Sequence, residues 1–333
     1  MKPVGAPNIV TAQRLAYGAA LVRQQIEQGR KELVTGRIDN LPLALGRGLG
    51  HALILRGALD SVEGRREALS QAKLIAGVAQ HALRSAADGA RAIANDAIAA
   101  NGRRDEAALA TVSKEAQIRL QAAFSSLNAR VAGQSAFAGD AGDRPALASA
   151  DQLLADVRSL FEGAADADAF NVALNSYFND PAGGFNSAIY VGGAGDAPTI
   201  EIGKDERLAF TLKANDPSLR DLLRSLATIA VAASAPPSAL RDGALAEAAR
   251  SALAGVDGVI ARQAELGIAE ARVADAAARL EIEESALNEA YNAQTARDPF
   301  EAASRLQSLE SQLEAALTLA GRISRLTLAN FIR

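Results

Sequence analysis

Residues 298–333 read DPFEAASRLQSLESQLEAALTLAGRISRLTLANFIR. Asp298 can cap a helix and Pro299 can open it, and no later proline interrupts the run. Leu306, Leu309, Leu313, Ala316, Ala320 and Ile323 recur in steps of three and four, which keeps one narrow apolar seam on a helix. Such a seam needs a partner helix. A second apolar line through Leu317, Leu326, Leu328 and Phe331 widens the face beyond what one partner covers.

A partner is available at the other end of the chain. Ile9, Ala12, Leu15, Ala19, Val22, Ile26 and Leu33 fall on one helical face, with Arg14, Arg23, Gln24 and Lys31 off it. That helix is expected to stop at Thr35-Gly36-Arg37-Ile38, and the following DNLPLALGRGLG, with one Pro and three Gly, reads as an irregular connector. One surface line of the last helix is expected to pair with this first helix, leaving the second line for neighbouring subunits. The expected assembly interface is therefore Ile9, Leu15, Val22, Ile26, Leu306, Leu309, Leu313, Leu317, Ile323, Leu326, Leu328 and Phe331.

Between the two ends, an Ala-rich heptad-like register from Leu69 through Ala76, Leu83, Ala90 and Ala97 predicts a helix over about 58–100, about 60 Å long at 1.5 Å per residue. Asn101-Gly102 ends it, and a return helix is expected over about 105–131. A buried Ala contributes far less than the roughly 1.5–3 kcal/mol of a buried Leu, so two such helices would be marginal alone. Leu266, Val273, Leu280, Leu287 and Tyr291 supply another helix, over 239–293.

The middle differs in kind: residues 137–210 hold eight of the thirteen aromatic residues, and Gly, Asp and Pro become frequent. Helices are expected over 150–161 and 168–178, short strands at 187–191, 199–202 and 207–212, and a helix from Asp216-Pro217 to about Ala233. The expected fold class is mainly α, a long antiparallel helical bundle or coiled-coil rod built from both termini with a small inserted α+β domain. The expected divisions are 1–57, 58–136, 137–235, 236–297 and 298–333.

Composition narrows function. The net charge of -4, with acids and bases interspersed, gives no basic stripe for phosphates, so nucleic acid is not an expected partner. No cysteine occurs, which excludes disulfides and thiolate chemistry. The longest apolar run, around Leu226–Ala233, ends at Ser234 and Pro236-Pro237, far short of the roughly 20 residues that span a bilayer. The opening MKPVGAPNIVTAQRL lacks the apolar core of a cleavable signal peptide.

Catalysis finds little footing. His51 and His81 stand without Cys or a helical acidic partner, which does not suit a zinc or nucleophilic site. Gly46-Arg47-Gly48-Leu49-Gly50 misplaces the last glycine of a dinucleotide loop, and Gly203-Lys204 lacks the flanks of a phosphate loop. Asp140 with Asp143, and Asp166 with Asp168, read as caps next to helix starts. No catalytic residue, cofactor or metal is expected, and the chain reads as a non-enzyme.

The segment Glu32-Leu33-Val34-Thr35-Gly36-Arg37-Ile38 resembles the turn that ends the first helix of the flagellin superfamily. Asp298-Pro299-Phe300-Glu301-Ala302-Ala303, Leu309-Glu310-Ser311-Gln312-Leu313-Glu314 and Ser324-Arg325-Leu326-Thr327-Leu328-Ala329-Asn330-Phe331 are similar to the end of the same superfamily. The last is most like its hook-associated, hook-filament junction branch, and Ala214-Asn215-Asp216-Pro217 adds to that likeness. The residues after Gly36 depart from the filament flagellins, having Leu43-Ala44-Leu45-Gly46 in place of an Asp-Asp-Ala-Ala-Gly run.

The resemblance implies a structural subunit of the bacterial flagellum that joins hook to filament by polymerising through its terminal helices. The alternatives are a filament flagellin and, further off, a secreted helical scaffold or adhesin. It also implies self-association, contact with other flagellar axial proteins, and a cytoplasmic export chaperone. Type III export without a cleavable signal would make the location extracellular.

Overall fold

The computed structural model describes residues 6–203 and 206–331, with side-chain burial described for 13–203 and 206–322. The chain is mainly α-helical, with long helices packing together and two small two-stranded sheets among the described residues. In order these are α1 (Ala6–Thr35), α2 (Leu41–Leu45), a 3-10 turn (Gly46–Gly48), α3 (Leu49–Arg103), α4 (Glu106–Leu127), β1 (Arg130–Val131) and β2 (Gln134–Ser135). They are followed by α5 (Ala150–Gly163), α6 (Ala167–Asn179), β3 (Ile200–Gly203), β4 (Glu206–Leu208), α7 (Pro217–Ala232), α8 (Ala239–Thr295) and α9 (Pro299–Phe331). The chain divides into two compact units, one of Met1–Val62 with Glu281–Arg333 and one of Glu63–Leu280.

In the second unit the alanine seams behave as the register predicts. Ala72, Ala76, Ala90, Ala97 and Ala116 are fully buried beside Leu83, Ile93, Leu109 and Leu120, so the helices approach closely. A Cβ on Gly89 of α3 would lie 3.3 Å from Arg119 Cδ of α4. Gln80 of α3 donates to the Gln263 carbonyl of α8 at 2.8 Å, and Ser113 of α4 donates to the Ala230 carbonyl of α7 at 2.6 Å. Arg241, at the start of α8 and almost wholly buried, is neutralised by Glu106 at 2.7 Å and Asp242 at 2.9 Å.

Helix starts are set by short polar caps: Asp105 for α4, Ser149 for α5, Asp166 for α6 and Asp216 for α7, each accepting from a backbone N–H of the first turn. The aromatic middle makes its own core on α5 and α6. Phe161 meets Phe170 edge-on and Phe178 stacks on Phe185, both at ring separations of 5.2 Å.

Four local expectations change. The strand expected at 187–191 is a single wide helical turn, Phe185–Ile189, followed by one bridge from Tyr190 to Leu147. Gly183 and Gly184 sit where any Cβ would strike Tyr177, and this close approach folds the segment back so that Phe185 reaches Phe178. The return helix stops at Leu127 rather than near 131, and Ala132 (φ 51) and Gly133 (φ 83) turn an unexpected hairpin between β1 and β2. The strand expected over 207–212 is shorter, and β3 and β4 form one bulged hairpin. The connector is largely helical: Asn40 caps α2, only Gly46 of its three glycines takes positive φ (+49), and α3 begins at Leu49.

Candidate assembly interface

In the first unit α1 and α9 pack side by side and antiparallel. Asp298 fixes the start of α9, its carboxylate accepting from the N–H groups of Phe300 at 2.8 Å and Glu301 at 3.2 Å. Ile26, Ala302 and Leu309 are the buried centre of the seam, and a Cβ on Gly29 would touch Leu306 Cδ1 at 3.6 Å. Arg30 meets Glu310 at 3.1 Å along one edge.

The turn ending α1 is tied to the α8–α9 junction. Ile38 N–H donates to the Thr295 carbonyl and Arg297 N–H donates to the Gly36 carbonyl, both at 2.9 Å, closing an antiparallel bridge between Arg37 and Ala296. Gly36 adopts φ +65, which a side chain would strain. Glu32 faces Arg297 at 3.4 Å and accepts from Asp39 N–H at 3.1 Å, while Lys31 reaches Asp39 at 2.6 Å. Beside this turn, Ala52 and Leu55 of α3 and Tyr291 of α8 form a small cluster with Leu45, Leu59, Leu287 and Ala290 packed against it.

The expected interface residues fall into three groups. Ile26 and Leu309 are buried between the two helices, and Leu15, Val22, Leu306 and Leu313 are half-buried along the same seam. Leu317 is exposed. The side chains of Ile9, Ile323, Leu326, Leu328 and Phe331 lie outside the described residues.

A half-buried Leu gains only part of the roughly 1.5–3 kcal/mol of full burial, so this two-helix seam is thin. The exposed apolar side chains sharpen the point. Of the seventeen large ones among the described residues, eleven lie in the first unit, which holds little more than a third of the chain. They are Tyr17, Leu21, Leu33, Val34, Leu43, Leu53, Ile54, Ile282, Phe300, Leu317 and Leu319; Val34, Leu43 and Phe300 are 82–86% exposed. Sequence reasoning missed most of these because they stand off the periodic stripes; the available signal was an apolar residue on a helix's polar side.

Several polar groups of the second unit hold its own helices and loops. Asp166 caps α6, and Asp140 accepts from Gly195 N–H at 3.2 Å, pinning the glycine-rich loop rather than a helix start. Tyr177 donates to Asp156 at 2.6 Å; burial first, then that hydrogen bond and the carboxylate charge, raise its phenol well above the ordinary range. Tyr190 donates to the Gly193 carbonyl at 2.8 Å, and burial followed by the Asp140 charge pushes it up to about 12. Among the described residues no three His, Cys, Asp or Glu side chains are placed to hold a metal ion, and no helix is long and apolar enough to cross a membrane.

No protein-family model matches the chain, and no curated protein matches it. Among solved structures it is similar to one from Vibrio parahaemolyticus described as that of a candidate flagellar hook-associated protein. The TM-score is 0.50 at 13% identity, covering 76% of this chain and 98% of that one. At that identity the likeness is one of fold.

Proposed function

We propose that this chain is a non-enzymatic structural subunit of the bacterial flagellum that joins hook to filament and polymerises through the helix pair α1–α9. One observation carries the reading: the first unit leaves eleven large apolar side chains exposed, seven of them on the thinly buried α1–α9 pair, a surface suited to being covered by neighbouring chains. The fold likeness to a hook-associated protein and the terminal motifs support the flagellar assignment. The Leu43-Ala44-Leu45-Gly46 departure favours a junction subunit over a filament flagellin. On this reading the partners are further copies and other flagellar axial proteins. An export chaperone covers α9 before secretion, and the final location is extracellular.

The test is a deletion strain examined by electron microscopy, together with labelled protein in intact flagella. Intact hooks, filaments shed into the medium and label at the hook–filament boundary are expected. Long filaments grown from the purified chain alone would identify a filament flagellin instead. Label away from flagella would favour a secreted scaffold or adhesin.

A further inference from the structure

Asn101-Gly102 is the one Asn-Gly pair in the chain, and its asparagine is tied into the second unit. Asn101 lies in the last turn of α3, and its side-chain amide donates to the Asp242 carbonyl of α8 at 3.2 Å. Gly102 is exposed, and among the described residues a Cβ added there would meet nothing within 4 Å outside its own turn. An asparagine amide is most open to attack by the next backbone nitrogen when that residue is glycine, because no Cβ hinders the approach.

The way α3 ends sets when that attack can occur. Asp105 N–H donates to the Ala100 carbonyl and Arg104 N–H to the Asn101 carbonyl, both at 3.1 Å, a Schellman closure with Arg104 at the left-handed position, φ 54. Glycine suits that position, yet Gly102 stands two residues earlier, inside the helix, where glycine is unfavourable. Unwinding α3 to a stop at Gly102 relieves both misplacements. In the closed turn the helix ladder holds the Gly102 N–H, and helical ψ at Asn101 keeps the Gly102 nitrogen from lining up on Cγ. Unwinding removes both restraints.

We propose that Asn101 is a deamidation site gated by the turn between α3 and α4. When the turn opens, the Gly102 nitrogen attacks Asn101 Cγ, its proton passes to Nδ2, the Cγ–Nδ2 bond breaks and ammonia leaves. Water then opens the five-membered imide at either carbonyl, giving aspartate or isoaspartate at position 101. The product replaces the donor to the Asp242 carbonyl with a carboxylate, so two acceptors face each other. It also places a negative charge in the last turn of α3, where the helix dipole opposes it. Conversion therefore loosens the end of α3 from α8.

The experiment incubates the full chain at mildly alkaline pH, folded and in guanidinium chloride, and follows each asparagine by peptide mass spectrometry. In denaturant Asn101 should convert fastest of all; in the folded chain it should still convert, at least about tenfold more slowly, because the turn must open first. Arg104→Gly gives the closed turn its favoured residue and touches neither reacting group. It should slow the folded chain by about fivefold or more and leave the rate in denaturant unchanged. Asn101→Asp should have a lower denaturant midpoint than Asn101→Ala, which removes the amide without adding charge, with circular dichroism checking that each variant folds. Equal rates folded and in denaturant, a folded chain that never converts, or an Arg104→Gly chain as fast as wild type would overturn the gate. Another asparagine converting faster than Asn101 in denaturant would overturn the site, and equal midpoints would overturn the loosening.

Discussion

In the second unit Phe137, Phe170, Phe178 and Phe185 are fully buried, and the six large apolar side chains left exposed are scattered over α3, α4, α6 and α8. In the first unit only Ile26, Ala52, Leu55, Val62, Tyr291, Ala302 and Leu309 are buried among the described apolar residues, and eleven large ones face outward. Both units are built from long helices with similar periodicity. What separates them is the number of helices available to cover each face. Six helices and two hairpins contribute to the second unit's core, whereas α1 has α9 and little else. Helix formation and burial are thus decoupled: the pair can be helical yet incomplete.

The contrast can be broken most forcefully at the aromatic core. Phe178→Ala should destabilise the second unit by about 3–5 kcal/mol, read from the denaturant midpoint, because it removes the ring stacked on Phe185. A cost near that of a surface change would mean that this unit is not closed as described. Leu309→Ala should cost about 2 kcal/mol and act on the first unit only. Amide exchange would then speed up in α1 and α9 while α5–α7 stay as they were.

Smaller changes sharpen the difference. Gly29→Ala should stabilise α1 by up to about 1 kcal/mol, since the added methyl meets Leu306 in ordinary contact and removes a helix glycine. Val34→Ser and Phe300→Ser should alter monomer stability by no more than about 0.5 kcal/mol while reducing self-association in sedimentation. The equivalent change at Ile118 of α4 should leave association unaltered.

The smallest effect is alkaline. Tyr177 and Tyr190 have folded pKa values above the unfolded value of about 10, so the stability they contribute is complete below that pH. It is lost as pH rises through about 12, the folded value of Tyr190. Denaturant titrations at rising pH should show a shallower decline for Tyr177→Phe than for wild type, and the difference should lie in the second unit.

Much of the fold was legible because helix periodicity, Asp-Pro starts and glycine stops are local signals. The pairing of Ile26 with Leu309 followed from two complementary seams. Where backbone approach decided the outcome, the signal was absent: nothing in FNSAI announces a wide turn under Tyr177, and Ala132 gives no warning of positive φ. The interface was half-legible. Stripes revealed the seam, but Val34, Leu43 and Phe300 are apolar at positions a stripe leaves to solvent, and only a folded neighbourhood shows them uncovered.

The central claim is that the first unit completes itself by contact with other chains. Amide hydrogen exchange of the full-length protein across a concentration series tests it directly. Protection in α1 and α9 should rise as assembly proceeds, with α4–α7 unchanged from the dilute state. Full protection of α1 and α9 in the dilute monomer, or a gain confined to the second unit, would contradict it.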